Sequence, residues 1–209
     1  LFVAAVSLAV GCETREIGTD QQASSGGELV FSDDFEREKL GSDWKRGEGE
    51  NGSGNWRIEE GWLAAAHIKN DPLWLTRPLP SEVRVEFDAR AMSERGDLKV
   101  EIFGDGTAHE SGYILIFGGW DNERDVIARL DEHGDDRKVQ SSAGVEEGRI
   151  YHWAIERTNG TLRWYLDGEL FMTYDDDKPL KGPRHRSFAF NDWTAPVQFD
   201  NVEVYDLEP

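Results

Sequence analysis

From Glu28 onward the chain alternates apolar and polar side chains with a period of two. In Glu82-Val83-Arg84-Val85-Glu86-Phe87-Asp88 the valines and Phe87 share one side and the charges the other. In Asp97-Leu98-Lys99-Val100-Glu101-Ile102-Phe103, Leu98, Val100 and Ile102 share a side. The same period runs through Tyr113 to Phe117, Asp125 to Asp131, Ile150 to Thr158, Leu162 to Leu166, Phe188 to Asn191 and Val197 to Tyr205. Successive side chains of a strand point to opposite faces, so each run predicts a strand with one buried and one solvated face. Glu60-Gly61, Gly104-Asp105-Gly106, Asn159-Gly160 and Asp167-Gly168 punctuate the runs. Asn-Gly and Asp-Gly accept the positive φ of tight hairpin turns, which makes Trp153–Arg157, Leu162–Leu166 and Leu170–Tyr174 consecutive hairpin strands. No segment sustains a helical period. Roughly a dozen short, evenly spaced strands predict an all-β, two-sheet antiparallel sandwich of the jelly-roll kind.

The first residues break this pattern. Leu1 to Val10 is apolar apart from one serine, and Gly11 and Cys12 follow. The stretch reads as the hydrophobic part of an export signal. Leu8-Ala9-Val10-Gly11-Cys12 resembles a bacterial lipobox, with Ala9 where leucine or valine is commoner, and Cys12 as the lipidated thiol. Residues 13–27, with Gln21-Gln22-Ala23-Ser24-Ser25-Gly26-Gly27, read as a flexible tether. The expected organisation is therefore signal and lipobox at 1–12, linker at 13–27 and one jelly-roll domain at 28–209. The only membrane partner it implies is through the lipid, at the bacterial cell envelope.

Charge narrows the partners. The 209 residues carry 42 acidic and 23 basic side chains, a formal net charge of -19. Such a field repels phosphate backbones, so nucleic acid is excluded as a partner. Anionic polysaccharides are disfavoured unless a local basic patch or a bound cation intervenes. The single cysteine rules out an intrachain disulfide.

Several pieces occur in a telling order: Phe31-Ser32-Asp33-Asp34-Phe35, Leu40-Gly41-Ser42-Asp43-Trp44, Trp56-Arg57-Ile58-Glu59-Glu60-Gly61-Trp62-Leu63, Tyr151-His152-Trp153-Ala154-Ile155-Glu156-Arg157, Leu162-Arg163-Trp164-Tyr165-Leu166-Asp167-Gly168 and Phe199-Asp200-Asn201-Val202-Glu203-Val204-Tyr205. In this order they resemble concanavalin A-like lectin/glucanase domains, and within that superfamily the laminin-G-like and keto-glycoside hydrolase-type modules. The resemblance implies two curved sheets with one concave, ligand-holding face. It also implies a structural calcium joining the N-terminal segment to the last strand, which falls on Asp34, the Gly61 carbonyl and Asp200. The function it implies is a surface-anchored carbohydrate-binding module. The alternatives are a glycoside hydrolase or keto-glycoside lyase, and a laminin-G-like protein-interaction module.

The Glu-x-Asp-x-x-Glu strand of the family-sixteen glycoside hydrolases is absent. The nearest catalytic candidates are Glu86 and Glu101, whose carboxylates would need to stand ~5 Å apart to work as a retaining pair. Solvated charges partnered by Arg84, Arg90 and Lys99 are the plainer reading. Sugar rings offer apolar faces to flat aromatics and hydroxyls to planar polar groups. That composition occurs twice in expected loops, at Trp120-Asp121-Asn122 and Asn191-Asp192-Trp193, with Arg129 a further candidate donor. The alternative is that both tryptophans fold inward as core caps.

Overall fold

The computed structural model describes residues 22–47 and 55–208; Cys12, the apolar leader and most of the expected tether lie outside them. The strands, in chain order, are β1 (Glu28–Asp33), β2 (Trp44–Arg46), β3 (Arg57–Glu59), β4 (Trp62–Ala65), β5 (Leu73–Leu75), β6 (Val83–Ala91), β7 (Leu98–Gly104), β8 (Tyr113–Gly118), β9 (Arg124–Arg129), β10 (Lys138–Ser141), β11 (Tyr151–Thr158), β12 (Thr161–Leu166), β13 (Glu169–Asp175), β14 (Ser187–Asn191) and β15 (Val197–Asp206). One helical turn, α1 (Gly119–Asn122), interrupts them.

The strands form two antiparallel sheets. The first runs β13-β12-β11-β6-β15-β4-β3, with β1 added on β15, and the second runs β10-β9-β8-β7-β14-β5-β2. This is the expected all-β, two-sheet sandwich. Asn159-Gly160 joins β11 to β12 and Asp167-Gly168 joins β12 to β13, all four residues at positive φ, as the turn signals require. β15 changes neighbour midway: Val197–Phe199 pair with β4, and from Val202 the strand pairs with β1. Asn201 makes the switch at φ 52, in a break of register between Asp200 and Glu203.

The inward side chains interlock as rings. Phe87 of the first sheet meets Phe188 and Phe190 of the second, with centroids 5.9 and 5.3 Å away. Trp153 lies over Trp164 at 4.3 Å, and Phe117 reaches across to both. Truncating such a ring to alanine costs about 3–5 kcal/mol, so the sandwich is anchored here.

With Leu98, Val100 and Ile102 in this core, the period of two sends Lys99 and Glu101 to the outer face of the second sheet. Asn191 of β14 joins them there through Glu101, and Ile114, Ile116, Val126 and Ala128 of β8 and β9 form a separate apolar cluster on the same side. Loops cover much of this face. It carries a cleft lined by Lys99, Glu132 and Trp193 among others.

The end of the expected tether is held against the outer face of the first sheet. Ser24 donates from its backbone N (2.5 Å) and its hydroxyl (2.7 Å) to Glu156 Oε1. Arg84 donates to the carbonyls of Ser24 and Gly26.

Candidate functional site

The cleft encloses about 620 Å³. Its floor comes from β7, where Asp97 just before the strand, then Lys99 and Glu101, occupy successive outward positions. The Lys99 side chain is almost wholly buried, with the residue 2 % exposed. Its Nζ donates to Asn70 Oδ1 and Glu132 Oε2, both at 2.9 Å. Burial opposes the charge of Lys99, yet Asp97 and Glu132 more than offset it and raise its pKa. Burial likewise pushes the Glu132 carboxyl up, and Lys99 overrides it, leaving Glu132 below the usual carboxylate range.

Glu101 is 0 % exposed. His109 Nδ1 and Asn191 Nδ2 each donate to its Oε1 at 2.7 Å, and the Glu110 backbone N donates to Oε2 at 3.2 Å. Three donors make this a carboxylate that positions its neighbours. Glu110 in turn accepts from the Glu132 backbone N at 2.9 Å, tying the two covering loops together.

Asp192 lies beneath, and neither buried carboxyl oxygen has a donor if both it and its neighbour are ionised. The neighbour is Asp97, in side-chain hydrogen-bond contact with it. Burial raises both carboxyls, which disfavours their carrying charge together. Burial first, and then Asp97's charge, hold Asp192 well above the usual carboxylate range. Asp97 Oδ2 accepts from the Trp193 backbone N at 2.8 Å. The Trp193 carbonyl accepts from Lys69 N at 2.8 Å and the Asp192 carbonyl from Asn70 N at 3.0 Å. Trp193 is thus fixed by its backbone while the residue stays 43 % exposed at the cleft.

Trp120 lines another part of the wall. It packs on the Ile114, Ile116, Val126 and Ala128 cluster, with His133 edge-on at 5.7 Å and Arg124 and Arg137 over its ring. Trp120, Asp121 and Asn122 all adopt left-handed backbone, at φ 53, 57 and 68. That conformation costs roughly 1–2 kcal/mol per non-glycine residue. Asn122 offsets it by donating to the carbonyls of Glu94 (3.1 Å) and Val145 (2.8 Å) and accepting from Val145 N (2.7 Å).

The expected site residues therefore divide. Trp120, Asp121 and Trp193 line the cleft. Asn191 and Asp192 support its floor from below. Asn122 faces away as a turn pin. Arg129 points to the other side of its sheet, where Nε donates to Asp176 Oδ2 at 2.8 Å. Glu86 and Glu101 stand on β6 and β7, in opposite sheets, and project from opposite outer faces with the core between them, so they do not form a retaining pair. Glu86 instead meets Arg84 and His152. The pattern did not reveal Asn70, Asp97, Lys99, His109, Glu110 and Glu132 as site residues. The alternating row Asp97, Lys99, Glu101 was the available signal, but it has the look of any solvated face.

At the proposed calcium end, Asp34 Oδ1 accepts from Glu36 N at 3.1 Å and Asp200 Oδ1 from Asn201 N at 2.8 Å. Gly61 lies against Glu36, whose Oε1 would be 2.8 Å from an added Cβ. Burial, and then the charges of Asp88, Glu36 and Asp34, push Asp200 up to about 6. Among the described residues no three His, Cys, Asp or Glu side chains converge to hold a metal ion.

Comparison with solved structures gives the class: the chain has the concanavalin A-like jelly-roll fold. A carbohydrate-binding module, CBM66 from Bacillus subtilis, superposes with a TM-score of 0.64 at 17 % identity, covering 80 % of this chain and 98 % of that one. A non-specific endo-β-1,3(4)-glucanase of family GH16 superposes at 0.61, with 15 % identity over 90 % of this chain and 94 % of the other. The Bacillus licheniformis β-glucanase superposes at 0.60, with 15 % identity over 88 % of this chain and 100 % of the other. By sequence, an extracellular exo-α-L-arabinofuranosidase of Streptomyces chartreusis is 23 % identical over 180 residues. Those cover 83 % of this chain and 21 % of the relative, so the chain spans about a fifth of that protein's length. No family model matches the chain.

Proposed function

We propose that this chain is an exported carbohydrate-binding domain whose ligand lies in the cleft on the second sheet. One observation carries the reading: an open, backbone-anchored indole at Trp193 stands over a floor of charged and amide groups that already satisfy one another. Such a floor keeps its shape without ligand, which lowers the ordering cost of binding. The indole offers a flat face to a sugar ring, and the outward edges of Glu110, Asp121 and His133 offer partners to hydroxyls. The glycan-recognising and glycan-cleaving proteins of the same fold support the reading, as does the extracellular relative. Export and attachment through Cys12 rest on the leader sequence. A glycan array followed by calorimetry on the best ligand tests the binding. Trp193→Ala should weaken it at least tenfold while Tm stays within about 1 °C; unchanged affinity sinks the proposal.

One observation favours a second reading, a hydrolase. Asp97 in the cleft and Asp192 beneath it are held above the usual carboxylate range, and Glu132 in the cleft is held below it. Opposed pKa shifts of this kind suit an acid and a base in glycoside cleavage. Release of reducing ends from the bound glycan, abolished in Asp97→Asn and in Glu132→Gln, would establish it. A stable glycan would leave the domain a binder.

A further inference from the structure

We infer that a second pocket, at the end of the sandwich where the C-terminal segment passes the loop from Lys181 to Arg186, is a binding site for a small oxyanion, a sulfate ester or carboxylate carried by a glycan. It encloses about 550 Å³ and is lined by Arg157, Lys181, His185 and Arg186, with Pro78, Pro80 and Pro183 stiffening its walls. In a chain of net charge -19, this is a local reversal of sign. Among the described residues none of Arg157, Lys181, Arg184 and Arg186 has a carboxylate within ion-pairing distance.

Arg157 is the telling member. It is 5 % exposed, and its guanidinium lies over the Phe103 ring, 3.1 Å from the centroid. Nε (3.0 Å) and Nη2 (2.8 Å) donate to the Ser81 carbonyl, and Nη1 donates to the Leu180 carbonyl at 2.6 Å. Carbonyls and the Phe103 ring hold the group in place, and Glu82 acts on its charge from beyond ion-pairing distance. Each Nη keeps a second N–H. Arg186 uses only Nε, to the Leu79 carbonyl at 3.0 Å, so its two Nη groups remain for a ligand. His185 is held through Nδ1 near the Phe103 carbonyl at 3.1 Å, which leaves Nε2 available. Asp206 and Glu208 also line the pocket. Asp206 Oδ1 is taken by the Glu208 backbone N at 2.9 Å, in a local turn. Planar guanidinium donors around a concave site match the geometry of a tetrahedral or trigonal oxyanion. The pocket is separate from the Trp193 cleft and shares no lining residue with it.

The test uses the full chain and three probes, inorganic sulfate, glucose-6-sulfate and glucuronate, each at fixed ionic strength against chloride. Thermal unfolding should rise by about 3 °C at a probe concentration some fivefold above Kd. Sulfate stabilises proteins generally by exclusion from their surface. The deciding quantity is therefore the rise lost in Lys181→Gln/Arg186→Gln, where at least two-thirds of it should vanish. If that double variant is itself unfolded, Lys181→Glu alone, an exposed change, serves in its place. A larger rise with glucose-6-sulfate or glucuronate than with inorganic sulfate marks a glycan as the source, and an equal rise marks the free ion; both support an oxyanion site. An equal rise in parent and variant, or none, overturns it. Trp193→Ala should leave the response intact, so the pocket and the cleft fail or stand separately.

Discussion

Lys99 neutralises a floor that would otherwise be acidic. Removing one partner of a buried ion pair leaves the other charge stranded, at a cost of about 3 kcal/mol. Lys99→Met should therefore lower urea stability by about that much at pH 7, and the deficit should shrink near pH 4 as Asp97 and Glu132 take up protons; a deficit independent of pH would show that packing, not charge, is at stake. Asp192 gives the opposite slope. Its folded pKa lies above the unfolded value, so the native state binds the proton more tightly. The stability this contributes is full below the ordinary carboxylate pKa and is lost as pH rises through the shifted one. Asp192→Asn should flatten the fall in Tm on the alkaline side, measured by thermal melts from pH 4 to 9. A variant whose profile parallels the parent would contradict the raised Asp192 carboxyl.

The pairing of β6 with β11 carries a second titration. His152, with Glu86 first and burial opposing, then Asp88, is raised to about 9; its Nδ1 stands 3.0 Å from Asp88 Oδ1 and its Nε2 3.6 Å from Glu86 Oε2. A histidine raised in the folded state stabilises fully below about pH 6.5 and loses that contribution as pH climbs through about 9. The side chain is half exposed, so solvent reduces the effect to roughly 1 kcal/mol. His152→Gln should lower the urea midpoint at pH 6 and leave it unchanged at pH 10. Where β15 passes Asp34 and Asp200 the slope runs the same way at lower pH: Asp200, raised to about 6, loses its contribution to stability as pH climbs through that value. Asp200→Asn should raise Tm by about 2 °C at pH 7.5. If calcium occupied this end, the substitution would lower Tm in added calcium, and a chelator would lower it in the parent.

These strands were the legible part of the sequence. Period two fixed β6, β7, β11, β12 and β15, because each buries one face against a continuous core. The short β2, β3 and β5 carry three residues each, too few to show a period. The cleft was half legible. Trp120 and Trp193 stood out by composition, but Lys99 and Glu101 looked solvated because alternation tells which side a residue faces, not whether a loop covers that side. Arg129 is a related case: a strand ends at it, and the loop after β13, which alternation does not locate, claims its guanidinium through Asp176.

Across the sandwich the charge is spread unevenly. An excess of acids repels itself in the folded state, and salt screens that repulsion over about 8–10 Å. Raising sodium chloride from ~10 to ~150 mM should therefore raise Tm by a few degrees; a fall would mean that attractive pairs dominate the balance. The acidic cleft and the basic pocket should respond differently to charged sugars, with uronates weakening cleft binding and engaging only the far end.

The strap formed by Ser24, Arg84 and Glu156 sets an orientation. The strap holds Ser24 at the outer face of the first sheet, while Trp193 lines the cleft on the outer face of the second. A domain moored through its N-terminal arm would turn its back to the mooring, and its binding mouth would gape toward the surrounding medium, where long polymers drift past.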